Sequence, residues 1–202
     1  MKTKMLSLVS LAILGALTTI TAAAALKAGD MAPDFTAPAS LAGKTFTASL
    51  AELRSQGPVV VYFYPSAYTS GCNAQAHYFA VKMDQFAAVG AKVIGVSLDK
   101  IDRLNVFSAD PMYCAGKFPV AADPDAKIAL TYHLKVDPEE KGFKDSRGIE
   151  VGHGFAERTT FVITSDGRID ATIGGMSPTA NVDAALAEVK NLAAAAKSKP
   201  QG

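Results

Sequence analysis

The sequence predicts a single α/β domain in which helices cover both faces of a mixed central sheet. Three observations carry that prediction. Two near-continuous apolar runs, PVVVYFY (58–64) and KVIGVS (92–97), suit strands buried on both faces, as in a parallel sheet. Between them Cys72, Ala76, Phe79, Met83 and Phe86 recur at spacings that place them on one helix face. Further on, TTFVIT (159–164) and RIDATI (168–173) flank Ser165-Asp166-Gly167, the pattern of a β-hairpin.

The elements follow in order. Residues 1–25 read as a secretory signal peptide: Lys2 and Lys4 make a basic start, Met5 to Leu17 is mostly apolar, and Ala22 to Ala25 offers small residues for cleavage between Ala23 and Leu26. The apolar run is short for a membrane span, and no basic stop follows it, so no stable membrane insertion is expected after cleavage. Residues 26–202 then form one domain. FTAPASLAGKTFTA (35–48) reads as an added N-terminal hairpin. Residues 58–97 form a β-α-β unit whose helix starts at Cys72 and ends at Gly90, a C-cap glycine. A helix over 101–115 is irregular at Asp110-Pro111, FPVAA (118–122) is a short strand, and Asp123-Pro124 starts a helix through Tyr132. The charged residues 133–153 read as a solvated loop. Asn181 caps a last helix with Val182, Leu186, Val189 and Ala193 on one face. This order, with its extra hairpin, matches a thioredoxin-like layout.

In open α/β sheets, chemistry collects at the carboxyl ends of the parallel strands. The 65–71 loop lies on that edge, and Cys72 opens the helix behind it. A helix N-terminus offers unpaired N–H groups and partial positive charge, which favour a thiolate over a thiol. Thr69 or Ser70 can act as N-cap and leave the other hydroxyl for a ligand. By itself Cys72 also fits a small buried cysteine that only packs, since it shares the apolar stripe.

The neighbouring residues carry a resemblance. Pro65-x-x-x-Thr69-x-x-Cys72 resembles the peroxidatic signature of the peroxiredoxin family, and "GDMAPDFTA" (29–37), "VVVYFYP", "VIGVSLD", "FPVAADPD" and "ERTTFVITSDGRI" occur in that family's order. The likeness spans residues 27–195 and is strongest to the bacterioferritin-comigratory, or peroxiredoxin Q, group. It implies cysteine-based reduction of hydrogen peroxide and small organic hydroperoxides, no bound cofactor, recycling by a thioredoxin-like reductant, and a site arginine that matches Arg158. The chemistry agrees. Cys72 supplies the nucleophile, Thr69 and Arg158 supply hydrogen bonds to the peroxide, and Pro65 shields the sulfur. If the strand after Arg158 pairs antiparallel with PVVVYFY, Arg158 arrives beside Pro65 and Cys72.

The pattern also departs from the group. Many members carry a resolving cysteine five residues after the first; here that residue is His77. The second of the two cysteines is Cys114, in "DPMYCAGKF". It either resolves the Cys72 sulfenic acid as a disulfide, or is a lone packed thiol in an enzyme resolved from outside. Three other functions remain open. A thiol-disulfide oxidoreductase normally needs Cys-x-x-Cys, but Gln75 stands at that position; a glutathione-peroxidase-like enzyme needs tryptophan, and the chain has none. A non-catalytic binding module would leave Cys72 inert. No metal is expected, because Cys72, His77 and Cys114 lack paired ligand spacings. Asp99 and Asp102 read as helix caps, and His133 and His153 merely bracket the polar loop. Loss of Lys2 and Lys4 moves the net charge from +1 to −1, which offers no basic footprint for nucleic acid. The expected location is exported, periplasmic or secreted, where a disulfide can persist.

Overall fold

Seven strands build one sheet, and the alternation of side chains along its central strand divides the core in two. A computed structural model describes residues 24–198. The signal segment expected over 1–25 lies outside these residues, apart from Ala24 and Ala25. The elements are β1 (Thr36–Leu41), β2 (Lys44–Ser49), α1 (Leu50–Arg54), β3 (Val59–Phe63), α2 (Ser70–Ala88), β4 (Lys92–Ser97), α3 (Ile101–Ala109), β5 (Val120–Ala122), α4 (Lys127–Thr131), β6 (Val136–Asp137), β7 (Phe155–Ala156), β8 (Thr159–Ile163), β9 (Ile169–Gly174) and α5 (Pro178–Ser198). The strand order is β2-β1-β5-β4-β3-β8-β9, with β6 and β7 forming a separate pair. β3–β4 and β4–β5 are parallel; β1–β5, β3–β8 and the two hairpins β1–β2 and β8–β9 are antiparallel. The sheet is therefore mixed, as the sequence predicts.

Every residue of β3 is buried. Val60 and Tyr62 point to one face, where α2, α3 and α5 bury Phe79, Phe86, Leu104, Phe107, Val182 and Val189. Val59, Val61 and Phe63 point to the other, against Leu50 of α1 and Ala129 of α4, with Tyr132 just beyond. Each such large side chain, fully buried, stabilises the fold by about 1.5–3 kcal/mol. Gly95 in β4 answers a steric demand: a Cβ there would lie 2.7 Å from the Tyr62 hydroxyl.

Local chemistry moves several boundaries. Ser49 accepts from the Glu52 N–H at 3.3 Å and starts α1, a helix the apolar pattern does not announce. α2 starts two residues ahead of Cys72. α3 stops at Ala109 because Pro111 holds Asp110 extended, and residues 111–117 continue as turns with Ala115 at φ 50°. Asp123 caps α4 from a distance, taking the N–H groups of Ile128 and Ala129 at 3.0 and 2.9 Å. α5 starts at Pro178, a residue suited to a first turn, so Asn181 is inside the helix and buried rather than at its cap. The 133–153 segment is not simply solvated: β6 forms within it, and Asp145 and Val151 are buried.

Candidate active site

β3 delivers the chain to the sheet edge, and Pro65 to Thr69 turn it into α2. Thr69 is the extended N-cap residue, and the first backbone bond of α2 runs from the Asn73 N–H to the Thr69 carbonyl at 2.8 Å. Cys72 is the third residue of the helix. It lies ahead of that bond, among the N–H groups that carry the positive end of the helix dipole. Cys72 is only 1% exposed, but Arg158, which reaches its sulfur, is partly exposed, as are Gly71 of the same helix turn and Pro65 and Thr69 of the loop. A cleft of about 240 Å³ opens beside Thr69 and Ser70, walled by residues 143–146.

The β3–β8 register decides where Arg158 goes. Phe63, the last residue of β3, faces Thr159, the first of β8. Arg158 therefore emerges beside the loop, and its Nη2 donates to the Cys72 sulfur at 3.3 Å. Its Nη1 donates to the Gln75 side-chain carbonyl. Gln75 Nε2 donates onward to Asn181 Oδ1 at 3.0 Å, Thr160 Oγ1 donates to the same oxygen at 2.6 Å, and Asn181 Nδ2 donates to the Ile173 carbonyl at 3.1 Å. Gln75, Thr160 and Asn181 are all buried, so this chain from β8 through α2 to α5 fixes the guanidinium from behind. Gly71 makes room for it: a Cβ there would lie 3.2 Å from Arg158 Nη2 and 3.5 Å from Pro178 Cγ. Gln75 and Asn181 escape sequence reasoning. Gln75 falls on the buried face of α2, three residues after Cys72, and a polar residue there is the one signal that could have found it.

The Thr69 hydroxyl does not cap α2. It donates to the Ser66 carbonyl at 2.9 Å, so toward a peroxide it presents its lone pairs and not the donor expected from the sequence. The loop itself is held in a demanding shape, with Tyr68 at φ 64°, a left-handed conformation that costs an aromatic residue about 1 kcal/mol or more. Three elements hold it. The Ser146 N–H donates to the Tyr68 carbonyl at 2.9 Å, and the Arg147 guanidinium lies 3.3 Å from the Tyr68 ring centre. Arg103 of α3 donates to the Ala67 carbonyl and to Asp145, each at 2.8 Å. Asp99, fully buried, takes the Ser66 hydroxyl at 2.9 Å, the Ala67 N–H at 2.7 Å and the Ser97 hydroxyl at 2.8 Å. Asp99 is thus an anchor of the loop and not a helix cap. Arg147 and Asp145 belong to the segment read from sequence as solvated surface.

Cys114 lies in the turns after α3. Like Cys72 it is a free, buried thiol, and both belong to the core cluster around Tyr62. Burial, and secondarily Asp110, push its thiol far above the ordinary cysteine range, so in this state it stays protonated. The exposed His77 turns to the Met112 carbonyl, with Nδ1 3.1 Å from it. Among the described residues no group of His, Cys, Asp and Glu side chains is placed to hold a metal ion, and no helix is long and apolar enough to cross a membrane.

Comparison with known proteins gives concordant matches. The model of the AhpC/TSA family matches residues 28–172. Peroxiredoxin Bcp of Escherichia coli is 32% identical over 145 residues, covering 72% of this chain and 83% of its own length. The crystal structure of peroxidoxin BcpB from Mycobacterium tuberculosis superposes with a TM-score of 0.68 at 30% identity, covering 83% of this chain and 98% of that one. A structure of the bacterioferritin comigratory protein of Xanthomonas campestris, determined for insight into its alkyl peroxide reduction activity, superposes with a TM-score of 0.60 at 28% identity over 77% of this chain and 91% of that one.

Proposed function

We propose a complete catalytic cycle for this chain, which belongs to the AhpC/TSA family and is a thiol peroxidase of the bacterioferritin-comigratory, or peroxiredoxin Q, type. The observation that carries it is the Arg158 guanidinium 3.3 Å from the Cys72 sulfur at the mouth of α2. A permanent cation at that distance, joined by the helix dipole, stabilises a thiolate. The thiolate attacks one peroxide oxygen. An S–O bond forms, the O–O bond breaks, and its electron pair leaves on the distal oxygen. Arg158 stabilises the charge that develops there. The Thr69 lone pairs accept the hydroxyl hydrogen of the incoming peroxide and orient it. The leaving oxygen takes up a proton from solvent, matching the one the thiol gave up, and the products are Cys72 sulfenic acid and water or an alcohol.

Cys114 then condenses with the sulfenic acid, forming an S–S bond and releasing water. A dithiol reductant of the thioredoxin kind takes up the disulfide by exchange, which returns both thiols and oxidises the reductant. A disulfide needs Cα atoms within about 7 Å, and a buried, protonated thiol is a poor nucleophile. The turns 111–117 and the first turn of α2 therefore open before condensation, which exposes the two buried sulfurs to each other. Hydrogen peroxide and small organic hydroperoxides are the substrates, in keeping with the alkyl peroxide reduction of the Xanthomonas protein. The N-terminal segment directs the protein out of the cytoplasm, where the Cys72–Cys114 disulfide can persist between turnovers.

One equivalent of peroxide, followed by peptide mass spectrometry, tests the cycle. A Cys72–Cys114 bridge is expected in the wild type. Cys114→Ser is expected to form the sulfenic acid at the wild-type rate and to stop after one turnover with a thioredoxin-like reductant. Undiminished turnover by Cys114→Ser overturns the resolving role. Failure to trap oxidised sulfur at Cys72 overturns the peroxidatic one.

A further inference from the structure

We propose that His153 is a positioning residue for the peroxidase reaction: held as an imidazolium between Asp99 and the Gly154 carbonyl, it sets the shape of the loop that carries Pro65 and Thr69. The inference rests on the Cys72 reading above and deepens it.

The geometry around the ring fixes its charge. His153 Nε2 is 2.8 Å from Asp99 Oδ1, and Nδ1 is 2.6 Å from the Gly154 carbonyl oxygen. Both partners can only accept. A neutral imidazole carries one N–H and can satisfy one of them; the imidazolium satisfies both. Ser66 Oγ stands 3.5 Å from Nε2, but its own hydrogen goes to Asp99. The charged groups facing the ring come from every neighbouring element. Asp99 lies on the β4–α3 loop, Lys100 and Asp102 border the cleft that His153 lines, and Arg103 projects from α3. Arg103 Nε is 2.9 Å from Asp99 Oδ1, and Asp145 and Arg147 close the cluster from the 143–151 segment. Burial and Arg103 work against charge on the ring, the Asp99 contact and the Gly154 carbonyl work for it, and the net effect raises the His153 pKa above its ordinary value.

The loop depends on the same carboxylate. Asp99 ties down Ser66 and Ala67, the two residues between Pro65 and the left-handed Tyr68. When the ring loses its proton, a nitrogen lone pair faces either the carboxylate or the carbonyl. The ring must turn or withdraw, and Asp99 is then drawn toward Arg103 alone. The strained turn loses part of its anchorage, and Thr69, whose hydroxyl is fixed on the Ser66 carbonyl, moves with it. Oxidation of Cys72 therefore slows as pH rises through the His153 titration, whereas thiolate formation by itself can only speed it.

The test is the second-order rate constant for Cys72 oxidation by hydrogen peroxide, from about pH 5.5 to about pH 9.5, in wild type and in His153→Gln. An NMR titration of the His153 ring in the wild type runs alongside. The wild type is expected to show an alkaline decline of at least about threefold, with a midpoint above the ordinary imidazole value and equal to the NMR midpoint of His153. His153→Gln, neutral at every pH, is expected to lack the decline and to run near the wild-type alkaline rate throughout. The inference is overturned if the decline persists in His153→Gln, if the wild type shows none, or if the two midpoints differ. The wild-type comparison decides the matter even where the variant folds poorly. Absence of Cys72 oxidation at every pH sinks the Cys72 reading itself and this inference with it; oxidation with an unaltered profile sinks this inference alone.

Discussion

Replacing Asn181 by alanine tests whether the buried chain behind Arg158 serves catalysis. Asn181 lies more than 100 residues after Cys72 in sequence, and its hydrogen bonds reach Arg158 only through Gln75. Its side-chain oxygen takes hydrogens from Gln75 and Thr160, and its nitrogen gives one to the Ile173 carbonyl, all in buried surroundings. Alanine leaves the Gln75 amide, the Thr160 hydroxyl and the Ile173 carbonyl without these partners. Each buried orphan costs about 1–3 kcal/mol, so stability falls by about 3–9 kcal/mol. A domain of this size normally has about 5–15 kcal/mol in hand, so rates are compared only at temperatures where urea unfolding shows the variant folded. Its effect on rate comes through Gln75. Losing an oxyanion donor outright costs about 100–1,000-fold, and loosening Arg158 while retaining it costs less, about tenfold. The chain has no tryptophan to report oxidation. The assay is therefore competition with a haem peroxidase for hydrogen peroxide, paired with urea unfolding. Val189→Ala, at another buried position of α5, is the control, expected to lose stability without losing rate. Wild-type oxidation by Asn181→Ala, or equal slowing by Val189→Ala, would refute the reasoning.

Gly71→Ala should separate activity from stability. The new methyl meets Arg158 Nη2 at 3.2 Å, while alanine in a helix is favoured over glycine by up to about 1 kcal/mol; peroxide oxidation is expected to slow at least about threefold, with unchanged or higher urea resistance, and an unslowed variant contradicts the crowding. Stability should depend on pH through Asp99 and His153. Burial alone would raise Asp99, but its bonds from His153, Ala67 and Ser97 bring it net below 3.8, so its contribution is present above that value and is lost as pH falls through the lower folded value. His153 is raised above 6.5, so its contribution is complete below 6.5 and is lost as pH rises through the higher folded value. Urea midpoints should therefore be highest between the two limits, and His153→Gln should flatten the alkaline fall; a wild-type midpoint constant from about pH 6 to about pH 9 contradicts the assignment.

The parts of the molecule that were legible in sequence are those specified by local pattern. Continuous apolar runs gave β3 and β4, the turn residues 165–167 gave the β8–β9 hairpin, and antiparallel pairing of β8 with β3 brought Arg158 to Cys72. What stayed hidden depends on contacts between distant segments. Asn181 looks like a cap because asparagine favours caps; its inward turn is decided by Gln75, on another helix. Asp145 and Arg147 sit in a charged, glycine-containing stretch that reads as surface, and their burial and stacking exist only because the Tyr68 turn presents a carbonyl and a ring to them. His153 was unremarkable until the fold placed Asp99 beside it. Pairings of this kind leave no periodicity for a reader of the chain to find.

The N-terminal hairpin has a consequence for self-association. Without it the sheet would stop at β5, three buried apolar residues whose outer row of N–H and C=O groups would be open to the strand of another molecule. β1 pairs with that row through Ala39 and Ser40, and the boundary moves outward to β2, a six-residue strand that begins with Lys44. A lysine at such a border works against the addition of a strand from another molecule.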